Sequence, residues 1–402
     1  MEQKGLSGFF DTFLNKESLF LNKELLQSTY TPTTLLHRKK EMQQMAGILA
    51  PALKLEKPSN LFLYGKTGTG KTATTKHVTN ELVKVSNQRN IPLRIFYLNC
   101  KLKKLADTEY RLIAQIAREF GKNIPATGLP TSEVYRLFFE AIDKKHSVII
   151  ILDEIDQLVK KTGDEVLYNL ARMNEELKNC RLSLVGISND LLFADNLDPR
   201  VKSSLSEEEI IFYPYNAIQI KDILLQRSRK AFKPGVIKEG VIEKCAAYAA
   251  REHGDARRAL ELLRVAGELA ERNGMDAVET ASIDAAEEKI ERDKTTDILV
   301  NQPKQFQATI YAAVHVCSNK GAKTIFTGEV YEVYKDICQK IGLRPLTQRR
   351  FSDIINELDM LGLLTAKVIS KGRHGRTREI VLSTPKTSLP KIKRILEDAL
   401  NL

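Results

Sequence analysis

Between residues 61 and 213, short apolar runs alternate with stretches in which apolar residues recur every three or four positions. Most of the runs are continuous, and they cover residues 61–64, 94–98, 148–152, 182–187 and 210–212. Continuous apolar runs of this length are typical of parallel strands that are buried on both faces. Helical patterns separate the runs, so the sequence predicts a three-layer α/β domain built on a parallel five-stranded sheet.

The strand pattern disappears between residues 216 and 297, where apolar residues repeat only at helical spacing, as at Ile220, Ile223 and Leu224. This region predicts an all-helical domain of about four helices. Gln302-Pro303-Lys304 then interrupts the helical pattern, which indicates a boundary.

After that boundary the pattern indicates three helices followed by two strands, which is the order of a winged helix-turn-helix. These elements are predicted at residues 306–318, 328–340, 347–361, 363–369 and 377–383. The sequence therefore predicts an N-terminal arm with an α/β domain, an all-helical domain and a winged helix. The predicted bounds of the three domains are 1–215, 216–300 and 301–402.

The net charge of the chain indicates the class of molecule that it binds. The 402 residues include 62 Lys and Arg against 51 Asp and Glu, a net charge of +11. Such an excess favours a polyanionic partner, either nucleic acid or an anionic membrane surface.

The content of 43% hydrophobic and 28% charged residues excludes a disordered or collagen-like chain. Since no apolar run approaches the ~20 residues of a membrane span, we expect a cytosolic protein whose five scattered cysteines are reduced thiols.

A glycine-rich segment directly follows the first predicted strand. It reads Gly65-Lys66-Thr67-Gly68-Thr69-Gly70-Lys71-Thr72 and fits the pattern G-x-x-x-x-G-K-[ST] in full. Its glycines allow backbone amides to converge on phosphate oxygens, and the N-terminus of the following helix attracts negative charge. Lys71 can reach the β- and γ-phosphates, and the Thr72 hydroxyl can ligate Mg²⁺. A glycine turn that binds no ligand is the alternative.

Polar side chains follow two of the predicted strands. Asp153 would lie at the carboxyl edge of the sheet and can hold Mg²⁺, and Glu154 can act as general base on an attacking water. Asp156 fits the start of a helix. Asn189 follows the next strand, where it either orients water beside the γ-phosphate or simply occupies a turn. Together with the glycine-rich segment, these residues predict a site for ATP or ADP with Mg²⁺.

With these motifs the chain resembles AAA+ ATPases and, more narrowly, archaeal replication initiators of the origin-recognition and cell-division-control type. The resemblance extends over about residues 10–400. Besides the phosphate loop, the passages that carry it are Lys57-Pro58-Ser59-Asn60, Asp153-Glu154-Ile155-Asp156, Asp198-Pro199-Arg200-Val201-Lys202-Ser203-Ser204-Leu205, Gly254-Asp255-Ala256-Arg257 and Lys371-Gly372-Arg373-His374-Gly375-Arg376-Thr377. The resemblance implies an AAA+ P-loop core, an all-helical lid and a C-terminal winged helix.

The resemblance also implies roles in nucleotide hydrolysis. Asn189 matches the residue called sensor 1, and Arg257 matches sensor 2, a lid arginine that meets the γ-phosphate in cis. Arg200 matches a candidate arginine finger, which would act on the nucleotide of a neighbouring subunit. A solvated arginine is the alternative for Arg257.

Further positions match nucleotide contacts of that family. Tyr215 would pack on the adenine or the ribose, and Arg227 would reach the phosphates. Residues 31–38 match the segment that cradles adenine, and His37 and Arg38 are closest to its motif. A core tyrosine and a solvated arginine are the alternatives for the first two.

The third helix of the C-terminal region has two faces. The apolar face predicts a core and carries Phe351, Ile354, Ile355, Leu358 and Leu361. The polar face can contact base edges and phosphates in a major groove and carries Gln348, Arg349, Ser352 and Asn356. The hairpin that follows has a local charge of +4, from Lys367, Lys371, Arg373, Arg376 and Arg378 against Glu379. We expect this domain to bind duplex DNA; a solvated loop or a protein-contact surface is the alternative.

A second DNA contact is implied by the family at residues 107–136, where the sequence predicts helices at 108–120 and 132–142. In the family this region is an insertion that touches DNA beside the winged helix. An ordinary pair of helices that covers the sheet is the alternative.

The sequence and the resemblance together predict a replication initiator that binds origin duplex DNA and uses slow ATP hydrolysis as a switch. The implied partners are origin DNA, the replicative helicase, which it would help to recruit or load, and homologous initiator subunits on adjacent sites, with no membrane. A clamp or helicase loader with fast, partner-stimulated turnover and a transcriptional or signalling regulator are the alternatives. The winged helix, its basic hairpin and the insertion favour the initiator.

Overall fold

A computed structural model describes residues 17–28, 30–101, 108–125, 128–205, 207–320, 324–370, 376–383 and 389–402; of residues 207, 292–297, 320, 370, 376 and 391 it describes only the backbone. The chain forms two compact units, Met1–Ile283 and Asp284–Leu402. One helix, Thr280–Val300, begins in the first unit and ends in the second. The division into three domains at residues 215 and 300 stays a prediction.

The first unit contains a parallel sheet. Its strands are β1 (Asn60–Tyr64), β2 (Leu93–Asn99), β3 (Ser147–Asp153), β4 (Arg181–Ser188) and β5 (Glu207–Ile211). The α-helices described in this unit are α1 (Lys39–Leu49), α2 (Lys71–Gln88), α3 (Glu109–Glu119), α4 (Thr131–Ile142), α5 (Ile155–Thr162), α6 (Glu165–Glu176), α7 (Pro199–Leu205), α8 (Ala217–Ala231), α9 (Val241–Arg251), α10 (Ala256–Arg272) and the beginning of α11 (Thr280–Val300). The strand order is β2-β3-β4-β1-β5 and every pairing is parallel, which confirms the predicted α/β class and five-stranded sheet.

Helices cover both faces of the sheet, because successive side chains of a strand point to opposite sides. Ile149 and Ile151 pack in one core with residues of α1 and α2, whereas Ile150 and Leu152 pack in a second core with residues of α3 to α7. The helices α3 and α4 belong to this second core and therefore cover the sheet. Contact of their exposed surfaces with DNA stays a prediction.

The bounds of β5 differ from the predicted run at 210–212. The strand begins at Glu207 and ends at Ile211, so it includes three glutamates that the apolar pattern left out. Among the described strands β5 pairs only with β1, so its other side is an edge of the sheet. An edge strand tolerates charged residues, which is why apolar continuity underestimated its length.

The first described residues of the chain bind the helices α8 and α10. The Phe20 ring lies 4.5 Å from the Phe232 ring, between centroids. A Cβ atom on Gly267 would lie 2.5 Å from Phe20 Cζ, so the ring occupies space that only glycine leaves open. The backbone amide of Leu21 donates to the Ala231 carbonyl at 2.8 Å. The arm is therefore anchored on the lid.

The second unit has the predicted winged-helix order. Its described elements after α11 are α12 (Lys304–Lys320), β6 (Ile325–Phe326), α13 (Thr327–Lys340), α14 (Gln348–Met360), β7 (Leu364–Ser370), β8 (Arg376–Leu382) and α15 (Leu389–Leu400). The strands pair antiparallel in the order β6-β8-β7. The sequence analysis missed β6, which is too short to show alternation. It also missed α15, although the apolar residues of that helix recur at helical spacing.

The apolar face of α14 packs in the core as predicted, except at its end. Phe351, Ile354 and Leu358 are buried, but Leu361 is 41% exposed, so its assignment to the core was wrong. The helix ends at Met360, so Leu361 is its C-cap and no longer part of the buried helical face, and Gly362 then turns the chain with a φ of +73°.

Within the described ranges, each helix is too short or too polar to span a lipid bilayer. The five cysteines all lie within those ranges, and each is a buried thiol.

Truncating the anchor ring should destabilise the first unit. We expect Phe20→Ala to lower the free energy of unfolding by about 3 kcal/mol, because it empties the space beside Gly267 and Phe232. Leu21→Ala is the control, since this neighbouring side chain is 60% exposed, and it should cost less than about 0.5 kcal/mol. Urea unfolding followed by circular dichroism measures both. Equal destabilisation by the two variants would contradict an anchor at Phe20.

Candidate functional site

The glycine-rich segment forms the loop between β1 and α2. Gly68 and Gly70 have φ values of +70° and +91°, which strongly favour glycine. Space requires glycine as well, because a Cβ on Gly68 would lie 1.7 Å from Asp255 Oδ1 and one on Gly70 would lie 2.7 Å from the Tyr215 hydroxyl. The loop is therefore enclosed by other parts of the chain and leads directly into the N-terminus of α2.

A cavity of about 300 Å³ opens beside this loop. It brings together most of the residues that the sequence analysis assigned to nucleotide, metal and catalysis: Gly68, Thr69, Gly70, Lys71, Thr72, Asp153, Glu154, Asn189, Tyr215, Arg227 and Arg257. Lys66 and Thr67 instead line a second, smaller pocket with Asp255. Thr31, Pro32, Thr34, Leu35 and Leu36, from the predicted adenine segment, line the main cavity.

Lys71 is buried at the start of α2. Its Nζ donates to the carbonyls of Gly65 at 2.6 Å and Lys66 at 2.8 Å, and to Asn189 Oδ1 at 2.9 Å. Burial lowers the pKa of Lys71 to about 8, so the ammonium is still largely protonated at neutral pH. The contact with Asn189 connects the loop after β1 to the end of β4.

The Asp153 carboxylate receives three hydrogen bonds. Thr72 Oγ1 donates to Oδ2 at 2.9 Å, the Tyr97 hydroxyl donates to the same oxygen, and the Glu154 amide donates to Oδ1 at 3.0 Å. Partial burial of the hydroxyl and the hydrogen bond to Asp153 raise the pKa of Tyr97 far above that of an ordinary tyrosine. A hydroxyl and a carboxylate this close fit Mg²⁺, which prefers oxygen ligands.

Tyr97 is a site residue that the sequence analysis missed. It lies inside the apolar run of β2 and belongs to no motif. Only the pairing of β2 with β3 brings it to the carboxylate.

Glu154 adopts a left-handed backbone conformation with a φ of +56°. For a residue other than glycine, this conformation costs about 1–3 kcal/mol and is commonly found where function requires it. The side chain lines the cavity, and Lys101 Nζ lies 3.7 Å from its Oε2. Asp156 lies in the first turn of α5, where the sequence analysis placed it.

The lid meets the phosphate loop at the start of α10. Asp255 Oδ1 accepts hydrogen bonds from the amides of Arg257 at 2.7 Å and Arg258 at 3.2 Å, and so caps this helix. The amide of the next residue, Ala256, donates to the Gly68 carbonyl at 3.3 Å. Arg257 is exposed and lines the cavity from the first turn of the helix. Lid and loop are thus joined directly beside the predicted phosphate position.

Tyr215 is held by Arg38. The Arg38 guanidinium carbon lies 4.0 Å from the centre of the Tyr215 ring, and its Nε donates to both the Tyr215 hydroxyl at 3.1 Å and the Thr69 carbonyl at 2.9 Å. Burial raises the pKa of Tyr215. Arg38 is therefore buried between the phosphate loop and the tyrosine, while the neighbouring His37 contacts Asp222 at 2.9 Å. Neither is a lining residue of the cavity.

Arg227 lines the cavity from α8. Its guanidinium carbon lies 4.5 Å from the centre of the Tyr30 ring, and its Nη1 donates to the Leu25 carbonyl at 3.0 Å. Burial lowers the pKa of Arg227. Its contact with phosphates stays a prediction.

Arg200 lies outside the cavity. Its side chain is 85% exposed and contacts both carboxylate oxygens of Asp198 at 3.1 Å. A role on a neighbouring subunit's nucleotide stays a prediction.

The predicted DNA residues of the second unit are only partly described. Gln348 and Arg349 are exposed in the first turn of α14. Arg378 Nη1 donates to the Ser352 carbonyl at 2.6 Å, so this guanidinium joins β8 to α14. Lys371 and Arg373 lie outside the described residues, and of Arg376 only the backbone is described.

Two tyrosines missed by the sequence analysis hold the loop before α14. Tyr331 donates to the Leu346 carbonyl at 2.7 Å, and the Leu346 amide donates to the Tyr334 hydroxyl at 3.2 Å. They fix the start of the helix that carries Gln348 and Arg349.

Comparison with known proteins finds three family models along the chain. The model of an AAA domain matches residues 55–192, the Cdc6 AAA+ ATPase-type lid domain matches residues 221–288, and the CDC6 C-terminal winged helix domain matches residues 297–391. The three matches follow the order of the predicted domains.

Whole-chain relatives are also similar. An ORC1-type DNA replication protein of Pyrococcus abyssi is 54% identical over 387 residues, covering 95% of this chain and 91% of the relative. ORC1-type DNA replication protein 1 of Methanosarcina mazei is 50% identical over 401 residues, covering 99% and 95%. Among solved structures, the Aeropyrum pernix ORC1 protein in complex with DNA matches with a TM-score of 0.81 and 42% identity, covering 95% of this chain and 98% of that one.

Removing the helix cap at the lid should weaken the first unit. We expect Asp255→Ala to lower the free energy of unfolding by about 1 kcal/mol, because two backbone amides of α10 lose their acceptor. Asp255→Asn keeps a side-chain oxygen and should retain most of this stability. Urea unfolding distinguishes the two variants. If Asn costs as much as Ala, the carboxylate acts through its charge and not as a cap.

Proposed function

This chain belongs to the family of archaeal ORC1-type DNA replication proteins, and we propose that it initiates replication by binding origin duplex DNA in an ATP- or ADP-dependent manner. The observation that carries the proposal is the 42% identical Aeropyrum pernix ORC1 protein, which was solved in complex with DNA and which this chain matches over 95% of its length. A family in which lid, AAA+ core and winged helix occur together supports an initiator over a clamp loader.

The cavity residues support nucleotide binding. Loop amides from Gly68 to Thr72 in the cavity, those of the adjoining Lys66 and Thr67, and the buried ammonium of Lys71 would bind phosphate oxygens, and Thr72 and Asp153 would hold Mg²⁺. A bound Mg²⁺ would neutralise charge on the phosphates. Tyr215 and residues 31–36 would enclose the nucleoside.

Hydrolysis is proposed to be slow and to act as a switch. Glu154 would accept a proton from water, Asn189 would orient that water, and Arg257 would contact the γ-phosphate from the lid. Arg200 lies outside the cavity of its own chain. An arginine finger accelerates phosphoryl transfer by about 10³–10⁵. The isolated chain would therefore turn over slowly until a homologous subunit on an adjacent site supplies this group.

In the cell, the protein would associate with the chromosome and help to recruit or load the replicative helicase. This part of the proposal rests on the family. Footprinting across the genome of the source organism tests it together with DNA binding. One or a few sharp peaks near a replication start are expected. Scattered peaks at promoters would overturn the initiator and favour a transcriptional regulator.

Two substitutions should separate nucleotide binding from hydrolysis. Lys71→Ala should weaken ATP binding by about tenfold or more, because it removes a charged hydrogen-bond donor to the phosphates. Glu154→Gln should retain binding and slow hydrolysis by about 100-fold or more, because Glu154 acts only in the chemical step. Calorimetry and a phosphate-release assay measure the two effects. Equal loss of binding in both variants would show that the roles are misassigned.

Arginine substitutions should separate affinity for DNA from sequence preference. Arg373→Ala and Arg376→Ala should each make the salt dependence of binding shallower, by about one log–log unit for every phosphate that the side chain neutralises. Arg349→Ala should instead cost about 1–3 kcal/mol of preference for the origin over random duplex.

Binding to origin and random duplexes at several salt concentrations measures these effects. Arg394→Ala removes the same charge from an exposed position on α15 and is the control. If all three variants match the unchanged protein on both duplexes, the winged helix is not the DNA-binding surface and a protein-contact role becomes the better account.

A further inference from the structure

The hydroxyl of Tyr97 is directed at the carboxylate by the geometry of the sheet. In the parallel pairing of β2 with β3, Tyr97 lies beside Ile151 and Asn99 beside Asp153. Residues two apart on a strand share a face, so Tyr97 and Asp153 are diagonal neighbours on the same side of the sheet. Both side chains line the cavity. The contact is therefore built on two adjacent strands and not on a loop.

The hydrogen bond from Tyr97 restricts the rotation of the Asp153 carboxylate. Thr72 and Tyr97 both donate to Oδ2, and the Glu154 amide occupies Oδ1. Without Tyr97, one donor would remain for each oxygen, and the Oδ2 donor, Thr72, is itself an expected metal ligand. Among the described residues, Tyr97 thus supplies a side-chain donor to Asp153 that is not itself needed to bind Mg²⁺.

We propose that Tyr97 is a positioning residue that holds the Asp153 carboxylate for the Mg²⁺ of a bound nucleotide. The inference rests on the proposed function. Outer partners that orient a metal-binding side chain typically change metal affinity by about 10–100-fold when they are removed. Tyr97 is not a catalytic residue in this proposal, because it acts through Asp153.

The position of the ring separates this role from an ordinary core contact. The side chain is 39% exposed, so the phenol is not required to fill the core. Lys76 Nζ lies 4.8 Å from the ring centre and also lines the cavity. Tyr97→Phe keeps the ring and its contact with Lys76, and removes only the oxygen that donates to Asp153.

The test measures metal and nucleotide separately in the full chain. The affinity for ADP is measured by calorimetry with Mg²⁺ and with EDTA, and the binding of Mn²⁺ in the presence of ADP is measured by electron paramagnetic resonance. Tyr97→Phe should weaken Mn²⁺ binding by about tenfold and reduce the gain in ADP affinity from Mg²⁺ by a similar factor, with unchanged affinity in EDTA. Tyr110→Phe, whose hydroxyl donates to the Pro125 carbonyl, is the matched control and should change neither value.

Each outcome bears on the proposal. Wild-type Mn²⁺ affinity in Tyr97→Phe would overturn it, and so would an equal loss of ADP affinity with and without Mg²⁺, which indicates a contact with the nucleotide or a general structural role. If the unchanged chain binds no ADP under either condition, the proposed function itself fails. If the unchanged chain binds ADP but Tyr97→Phe is normal, only the role of Tyr97 fails.

Discussion

The parallel pairing of β3, β4 and β1 is the constraint on which the nucleotide site depends. Parallel strands place their carboxyl ends at the same edge of a sheet, and these three are adjacent. The edge therefore collects the phosphate loop after β1, Asp153 at the end of β3 and Asn189 directly after β4. The contacts Lys71–Asn189 and Thr72–Asp153, both 2.9 Å, follow from this arrangement. A change in strand order would separate these groups even if every motif stayed intact.

Glycine in the phosphate loop also allows the lid to reach the site. Asp255 occupies the position that a Cβ atom on Gly68 would take, and the Tyr215 hydroxyl lies against the position of a Cβ atom on Gly70. The Asp255 carboxylate also caps α10, the helix that carries Arg257. The shape of the loop and the position of the lid are therefore physically linked. The arm adds a second link, because Phe20 packs on the lid while Thr31, Pro32 and residues 34–36 line the cavity.

In the second unit, the helix predicted to read DNA is positioned by side chains that do not themselves need to touch DNA. Arg378 holds the Ser352 carbonyl from β8, and Tyr331 and Tyr334 hold the loop residue Leu346. A helix fixed from two sides loses little conformational freedom on binding, which favours specific contacts. Arg378 shows how one basic residue of a charged hairpin can serve the protein's own structure.

The sequence by itself determined the features that are encoded locally. The glycine-rich loop, the strand that ends in Asp153-Glu154 and the helix order of the winged helix each lie within a short segment, where spacing alone specifies the structure. Polar or exposed ends were less predictable, as at β5, where edge exposure admits glutamates, and at Leu361, where the helix has already ended. The tertiary structure alone decided that Tyr97 holds Asp153 and that Arg38 is buried against Tyr215. These pairs are far apart in sequence, and they meet only because the strand order and the packing of the arm bring their segments together, which no local periodicity encodes.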